Sequence, residues 1–561
     1  MSNAVAVTGN CSRRLLESSH LSPLCVVVFG YSLGTSASNS RALLIIMGAF
    51  ARTSQSARRA LAASSRDVGP RAWVVDKRAD QHPAGEAALP LCVDLDGTLV
   101  RSDTLAEGLA ALATRWRLAR LLISGAVLHR ARFKQRIAEE AAINPALLPY
   151  NETLLAWLRQ QKAEGRILVL VSAANVTTAE AVAKYLGLFD AVFASDGAHN
   201  LKGRAKARAL IARFGERRFV YVGDSRADLS VWRVAGGGVI VNASRYVAAA
   251  ARQVVAIETE INERFSVSAA LLRAMRPYQW MKNILVFVPI LTAHAVVERT
   301  AWIGALAMFA AFCATASAIY LFNDLTDLAA DRAHPRKRHR PLASGAISLQ
   351  LGAMLVPLLL ACGMALAIAA HALPALLLYA VLSIAYSVKL KEEPLVDVFL
   401  LAWLYTIRLF GGGEAAGHRL SLWLLGFSSF LFLSLALAKR TGEMMGVAHD
   451  GEPAASRRSY RAGDVPILQT FGCGAAFASA VVLALFVQSE ATAQLYASPG
   501  LLWGTVPLML FWQCRIWLAT SRGHMLDDPI VYALHDWITW LVAALMFALL
   551  ALAKSIAIPL P

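Results

Sequence analysis

Two hydrophobic rhythms divide the chain. Between about residues 86 and 255, apolar runs of three to five residues alternate with stretches whose apolar side chains recur every three or four positions. The runs Leu91–Leu95, Ile167–Val171, Ala191–Phe193, Phe219–Val222 and Gly238–Val241 predict buried strands, and the stretches between them predict amphipathic helices. Parallel neighbours need a helical crossover, so this alternation predicts a doubly wound α/β sheet. A long helical insert after the first strand, through about 103–164, predicts a cap.

Beyond a charged amphipathic linker at 256–282, the rhythm gives way to long apolar stretches near 283–297, 301–322, 349–369, 373–388, 395–412, 421–438, 466–488, 499–519 and 534–555. A helix needs about 20 apolar residues to cross the hydrocarbon core. Residues 283–561 therefore predict an all-α polytopic membrane domain of about nine transmembrane helices. Residues 1–85 differ from both. They are rich in Ser, Ala and Arg, and their one apolar run, Leu24 to Leu33, is too short to span, which predicts disorder.

Composition sharpens this division. At 561 residues, 57% of them hydrophobic and with a mean hydropathy of +0.49, the chain is too apolar for a wholly soluble protein. Its net charge of +17 raises nucleic acid as a partner. Much of that charge, however, lies in short loops beside apolar runs, where cations meet anionic headgroups, so the lipid bilayer is the better reading. With the α/β part in the cytoplasm, loops on its side would hold Arg332, Arg336, Lys337, Arg338, Arg340, Lys389, Lys391, Lys439, Arg440, Arg457, Arg458, Arg461, Arg515 and Arg522. The opposite loops would hold only Arg299 and Arg419. By the positive-inside rule this predicts an inner (plasma) membrane protein with its amino terminus inside and its carboxyl terminus outside. Seven scattered cysteines, with no CxxC pair, indicate neither a disulfide framework nor a zinc site. Nothing in the sequence fixes an oligomeric state.

Asp324, Asp327 and Asp331 are spaced three and four apart, which puts their carboxylates on one face of a helix at about 100° per residue. A solvated helix end is the plain reading of such acids. Ionisable groups abutting a membrane segment are costly and usually functional, which favours a site. Mg²⁺ takes few carboxylates together with substrate phosphate oxygens, so the cluster predicts a Mg-diphosphate ligand. The basic loop from His334 to Arg340 follows directly. Within it Lys337 and Arg340 are candidates for phosphate oxygens that the metal does not reach.

The run Asn323-Asp324-Leu325-Thr326-Asp327-Leu328-Ala329-Ala330-Asp331, followed by His334-Pro335, Lys337 and Arg340-Pro341-Leu342-Ala343-Ser344-Gly345, resembles the NDxxDxxxD signature of the UbiA prenyltransferase superfamily. Other runs are similar to its decaprenyl-phosphate phosphoribosyltransferase-like branch: Arg276-Pro277-Tyr278-Gln279-Trp280-Met281-Lys282-Asn283, Tyr386-Ser387 with Leu390-Lys391 and Asp397, Leu435-Ala436-Leu437 with Lys439-Arg440, Arg458-Ser459-Tyr460-Arg461, and Asp527-Asp528-Pro529. Typical aromatic prenyltransferases of the superfamily carry a second DxxxD. Here Leu401 stands four residues after Asp397, and the polar residue on that face is Arg408. The resemblance thus implies transfer of phosphoribose from phosphoribosyl pyrophosphate to a polyprenyl phosphate. It implies Mg²⁺ on Asp324, Asp327 and Asp331, and substrate contacts from Lys282, Asn283, Asn323, Lys337, Arg340, Tyr386, Asp397 and Tyr460. Lys389, Lys391, Arg408 and Arg461 are candidates for gripping phosphates, against their reading as topology anchors. Prenyl transfer from a prenyl diphosphate to another acceptor is the second reading. A transporter or scaffold half beside a single enzyme is the third.

In the amino-terminal half, the strand Leu91-Cys92-Val93 runs into Asp94-Leu95-Asp96-Gly97-Thr98. Val169-Leu170-Val171-Ser172 follows, then Lys206, then Val222-Gly223-Asp224-Ser225-Arg226-Ala227-Asp228. This ordered set resembles the haloacid dehalogenase superfamily. The resemblance implies Asp94 as nucleophile, Asp96 as general acid/base, Ser172 and Lys206 as phosphate holders, and Asp94, Asp224 and Asp228 around Mg²⁺. Lys202 competes with Lys206, which is preferred because it opens a helical pattern leading to Leu210 and Ile211. The cap residues Arg115, Arg117, Arg120, Arg130, Arg132, Lys134 and Arg136 read as solvated or membrane-facing surface.

Overall fold

The computed structural model describes residues 88–113, 130–141, 143–196, 200–263, 266–450, 460–525 and 528–556, all within one compact unit. The expectation for residues 1–85 lies outside them, as do Arg115, Arg117, Arg120, Arg457, Arg458, Ser459 and Asp527, and the side chains of Arg130, Arg132 and Lys134.

Six parallel strands form one sheet: β1 (Leu91–Val93), β2 (Leu168–Asn175), β3 (Ala191–Ser195), β4 (Val220–Gly223), β5 (Gly237–Val241) and β6 (Ile257–Ile261), in the order β3-β2-β1-β4-β5-β6. The strands read as continuous apolar runs because both faces are covered. Leu91, Val93, Leu168, Leu170, Val220 and Val222 pack on one side with Leu154 and Leu158. On the other, Cys92, Val169, Val171 and Tyr221 pack with Leu210 and Trp232. The covering helices are α1 (Thr104–Ala113), α2 (Arg130–Ala141), α3 (Glu152–Ala163), α4 (Val176–Leu186), α5 (Arg204–Phe214) and α6 (Arg245–Val254). β1 lies between β2 and β4, where the winding direction reverses, and such switch points open a crevice at the carboxyl ends of the strands. Asp94 and Asp224 sit at that crevice.

The sheet extends further than the apolar runs predict. β6 falls where the sequence predicts a linker, since its residues alternate Ile257, Thr259, Ile261 against Glu258 and Glu260. Its glutamates pair with Arg166 and Arg252, a charged edge that discourages further strand pairing.

The helical part begins with α7 (Val267–Met275) and continues through α8 (Arg299–Thr326), α9 (Leu328–Ala333), α10 (Leu349–Ala369), α11 (Leu373–Val388), α12 (Val396–Ala416), α13 (Leu422–Asp450), α14 (Val465–Val487), α15 (Thr505–Ser521), α16 (Pro529–His535) and α17 (Trp537–Ser555). Among the described residues, six helices are long and apolar enough to cross a membrane: α8, α10, α12, residues Leu422–Met445 of α13, α14 and α17. The expected count of nine is not reached by that measure. The stretch at 283–297 is a 3₁₀ segment, Pro277–Phe287, and a five-residue helix around Pro289. The stretch at 499–519 opens with a 3₁₀ turn and leaves 17 helical residues, and α11 has 16. Proline and glycine shorten elements that apolarity alone would lengthen.

Helices α8 and α12 are the most enclosed, whereas α10 and α17 turn most of their surface outward. Close approach at the centre depends on small residues. A Cβ at Gly304 would lie 1.9 Å from the Ala415 carbonyl oxygen, and one at Gly412 would lie 2.1 Å from that of Val286. The cap helix α1 docks on the helical part. Ala106 and Ala110 pack with Ala270, Leu321, Leu328 and Leu342, and buried Glu107 receives both terminal nitrogens of Arg332 at 2.7 Å.

Two candidate active sites

The α/β site forms where β1 and β4 end. The loop after β1 turns sharply at Gly97, whose φ of +81° is left-handed, and a Cβ there would stand 2.5 Å from Asp224 Oδ2. Only glycine lets Asp224 approach, and Thr98 then donates its hydroxyl to Asp224 Oδ1 at 3.0 Å. Asp228 is held by the backbone N–H and hydroxyl of Ser225 at 3.0 and 2.7 Å. Asp94, Asp224 and Asp228 thereby each present an oxygen within 4.8 Å of the others. Three hard oxygen donors at that separation suit a cation such as Mg²⁺.

Lys206, near the start of α5, is buried and stands 2.9 Å from Asp94. Lys202 is exposed. Tyr221 joins the set through its buried hydroxyl, which accepts from Lys206 Nζ and donates to Asp228 Oδ1, both at 2.8 Å. Its side chain points to the opposite face of β4 from Val220 and Val222, so it reads from sequence as one more apolar strand residue. Ser172 is fully buried within β2, its hydroxyl accepting from the Ala174 N–H. Asp96 accepts from the Thr104 N–H at 2.8 Å at the start of α1.

Burial, reinforced by Asp103, pushes Asp96 up to about 7. Burial and the neighbouring Asp228 and Asp94 push Asp224 up to about 7 as well. Asp94 is raised by burial against the opposing pull of Lys206. Burial pulls Lys206 down, but Asp94 and Asp228 outweigh it and leave it above its ordinary value. A protonated Asp96 facing a lysine-paired Asp94 is a proton donor beside a charged nucleophile. A small cleft bordered by Asp96, Thr104, Ile137, Asn175 and Thr178 leads in beneath the cap.

In the helical part the acidic motif is not one continuous helix face. α8 ends at Thr326, Asp327 forms the junction at φ −94° and ψ 12°, and α9 carries Asp331. Asp324 and Asp331 are buried, while Asp327 is half-buried. Each acid has a cationic partner, and Arg340 serves two of them. Asp324 pairs with Arg276 at 2.5 Å and Arg340 at 3.1 Å, Asp331 with Arg340 at 2.6 Å, and Asp327 with Lys391 at 3.9 Å. Arg276 also lies over the Tyr320 ring at 4.9 Å. Asn323 donates to the Ser387 hydroxyl at 3.0 Å.

Asp397, fully buried at the start of α12, is engaged by Arg440 and by the Tyr460 hydroxyl, the latter at 2.6 Å. Tyr386 lies against Arg440. Arg408 donates to Asn283 Oδ1 at 2.8 Å, and Lys282 meets Asp528 at 2.6 Å. Lys337, Lys389 and Arg461 are exposed instead. Arg276, Lys439, Arg440, Tyr405 and Asp528 were not among the predicted site residues. Four of these five stand inside the sequence runs that carry the resemblance. Tyr405 has no such signal, being one apolar position among many on α12.

The UbiA prenyltransferase family profile matches residues 285–519, and that of the haloacid dehalogenase-like hydrolases matches residues 91–233. An uncharacterized protein of Sinorhizobium fredii, y4nM, is 36% identical over 471 residues, covering 83% of this chain and 91% of its own length. The chain belongs to the UbiA prenyltransferase family. Ahead of its UbiA-type membrane part it carries a haloacid dehalogenase-like domain, so both candidate sites lie in enzyme-type folds. The nodulation protein NoeC of Azorhizobium caulinodans is 37% identical over 268 residues, 47% of this chain and 86% of that protein. The decaprenyl-phosphate phosphoribosyltransferase of Corynebacterium glutamicum is 34% identical over 200 residues, 35% of this chain and 60% of that enzyme.

Proposed function

We propose that the UbiA-type part transfers 5-phosphoribose from phosphoribosyl pyrophosphate to a polyprenyl phosphate, and that the fused domain is a phosphatase acting on the product. One observation carries this reading. Where the doubly acidic prenyl-diphosphate site of an aromatic prenyltransferase would have its second acidic pair, this chain has Asp397, locked by Arg440 and Tyr460, with Arg408 further along the same helix. One acidic cluster suits one pyrophosphate-bearing donor, and surplus cations suit an acceptor that is already anionic. The stretch shared with a decaprenyl-phosphate phosphoribosyltransferase supports it.

Asp324, Asp327 and Asp331 would hold Mg²⁺, which when bound neutralises the pyrophosphate leaving group. Arg276 and Arg340, already turned to these carboxylates, would follow the pyrophosphate oxygens. An oxygen of the lipid phosphate attacks the anomeric carbon, the carbon–oxygen bond to pyrophosphate breaks, and pyrophosphate leaves. The attacking oxygen is anionic, so positioning rather than a strong base supplies the rate. In the α/β domain, Asp94 would attack phosphorus while Asp96 protonates the departing alcohol, and Asp96 would then deprotonate the water that hydrolyses the aspartyl phosphate. Lys206 and Ser172 would hold the phosphoryl group, and Asp94, Asp224 and Asp228 a Mg²⁺ that screens charge. The excess of basic residues in the loops on the α/β side supports a cytoplasmic position for both sites.

The test is pyrophosphate release by the full chain in nanodiscs, given a polyprenyl phosphate and either phosphoribosyl pyrophosphate or a prenyl diphosphate. Release from phosphoribosyl pyrophosphate, abolished by Asp324→Asn and Asp327→Asn, is expected. Release only from the prenyl diphosphate with an aromatic acceptor would replace this reading with prenyl transfer. Asp94→Asn should abolish phosphatase turnover and leave pyrophosphate release intact.

A further inference from the structure

A largely buried cluster of cations stands in the helical part, and the carboxylates among the described residues around it leave a positive surplus. Arg408 is 6% exposed, and its described hydrogen-bond partners are neutral: Asn283 Oδ1 at 2.8 Å, the Leu404 carbonyl and the Tyr379 hydroxyl at 3.3 Å. Aromatic rings close around it, with Tyr379 centred 4.8 Å and Tyr405 5.8 Å from the guanidinium carbon. Lys282 and Lys439 both turn to one carboxylate, Asp528, at 2.6 and 3.4 Å. That carboxylate is saturated, for it also accepts from Tyr405 and from the Ile530 N–H at the start of α16. Glu443, one turn beyond Lys439, is engaged by Arg440. Among the described residues, Arg408, Lys282, Lys439 and Arg440 thus meet three carboxylates, Asp528, Asp397 and Glu443, and the positive charge left over falls to Arg408, which has no carboxylate among its described partners.

Charge buried in a membrane protein without a counter-ion is costly, and its usual partner is a bound ion of opposite sign. The placement of this surplus is informative. α8 puts Tyr320 one turn before Asp324, on the same face, and Arg276 covers the Tyr320 ring. The same helix carries Phe312, over whose ring Arg408 stands at 5.9 Å, so α8 borders both the acidic and the cationic groups.

We propose that Arg408, Lys282 and Lys439 form a second anion site, which takes the phosphate of the lipid acceptor beside the same helix, α8, that carries the pyrophosphate seat. The assignment to an acceptor rests on the phosphoribosyl-transfer reading; the existence of the site does not. A phosphate monoester carries the negative charge that the cluster lacks, and the apolar surroundings favour one borne on an isoprenoid chain over free phosphate. Asp528 aims the two lysines and prevents the site from collapsing onto itself.

The test is equilibrium binding of farnesyl monophosphate to the full chain in nanodiscs with no donor present, so that the identity of the donor does not enter. Arg408→Gln and Lys439→Gln should each weaken binding about tenfold or more, the scale of a lost charge-assisted contact. Asp324→Asn should leave it within about twofold. Lys439 is the less buried of the two and gives the safer variant, and a melting curve of each confirms the fold. Unchanged binding in both folded variants overturns the site. Inorganic phosphate binding as tightly as farnesyl monophosphate overturns the lipid assignment. Loss of phosphoribosyl pyrophosphate binding in the same variants, with farnesyl monophosphate unaffected, would give the cluster to the donor and overturn the proposal.

Discussion

The contact between Glu107 and Arg332 makes the docking of the two parts measurable. Glu107 lies on α1, three residues after the Thr104 N–H that holds Asp96, and Arg332 follows Asp331 on α9. Both side chains are less than 10% exposed, the pair is bidentate, and Arg332 also donates to the Ala343 carbonyl at 2.9 Å. Glu107→Ala leaves Arg332 buried with that carbonyl as its described partner. Removing one member of a buried ion pair costs about 3–5 kcal/mol, mostly the uncompensated charge left behind. At about 1.4 kcal/mol per factor of ten, local opening becomes about two to three and a half decades more frequent. Hydrogen exchange followed by mass spectrometry reads this directly: amides of Thr104–Ala113 and of the 342–347 loop should exchange roughly 100- to 4,000-fold faster, while the centre of the sheet keeps its protection. The paired change Glu107→Leu with Arg332→Met should recover most of the loss, because apolar residues of similar volume replace a buried pair at little net cost. Unchanged exchange in Glu107→Ala, or a double variant as labile as the single one, would refute the clamp.

Three further outcomes follow from the α/β site. Asp96 and Asp224 have folded values near 7 against 3.8 for the free side chain, so their contribution to stability is present below about pH 4 and is lost as pH rises through 7. The gain in melting temperature on adding Mg²⁺, which binds ionised carboxylates, should therefore be larger at pH 7.5 than at pH 5.5; an equal gain at both would refute the assignment. Gly97→Ala drives a methyl group into Asp224 and should lower phosphatase turnover about 100-fold, the effect of misplacing a group by about 1 Å. Tyr221→Phe removes a hydroxyl lying between Lys206 and Asp228 and should destabilise the α/β domain by about 1.5–3 kcal/mol in urea unfolding, with pyrophosphate release unaltered.

Chemistry written locally was the most legible from sequence. Five of the six strands, the carboxylates of the α/β site and the choice of Lys206 over Lys202 each depend on a short run and its periodicity. β6 was hidden because a charged edge strand alternates as an amphipathic linker does. Among the described residues six helices, not nine, meet the length and apolarity of a span, because apolarity is blind to where Pro277, Pro289 and Pro499 interrupt helices. Arg276 was not among the predicted site residues although it closes on Asp324, because its left-handed backbone at φ 52° is invisible in composition.

What lay furthest from sequence was the pairing of charges. Asp327, Asp324 and Asp331 read as equivalent when placed on one ideal helix, yet the junction at Asp327 gives them different environments: two are buried on Arg276 and Arg340, and one is half-exposed towards Lys391. The same holds across the membrane part. Lys337, Lys389 and Arg461 carry the same charge as Arg408, Lys282 and Lys439, and the positive-inside rule accounts for the exposed three. It does not account for buried Lys282 and Arg408 or for half-buried Lys439, since a topology anchor gains nothing from burial and loses its hydration. Burial and the shared carboxylate Asp528 therefore distinguish these cations from exposed loop anchors, a distinction that periodicity and the loop count do not make.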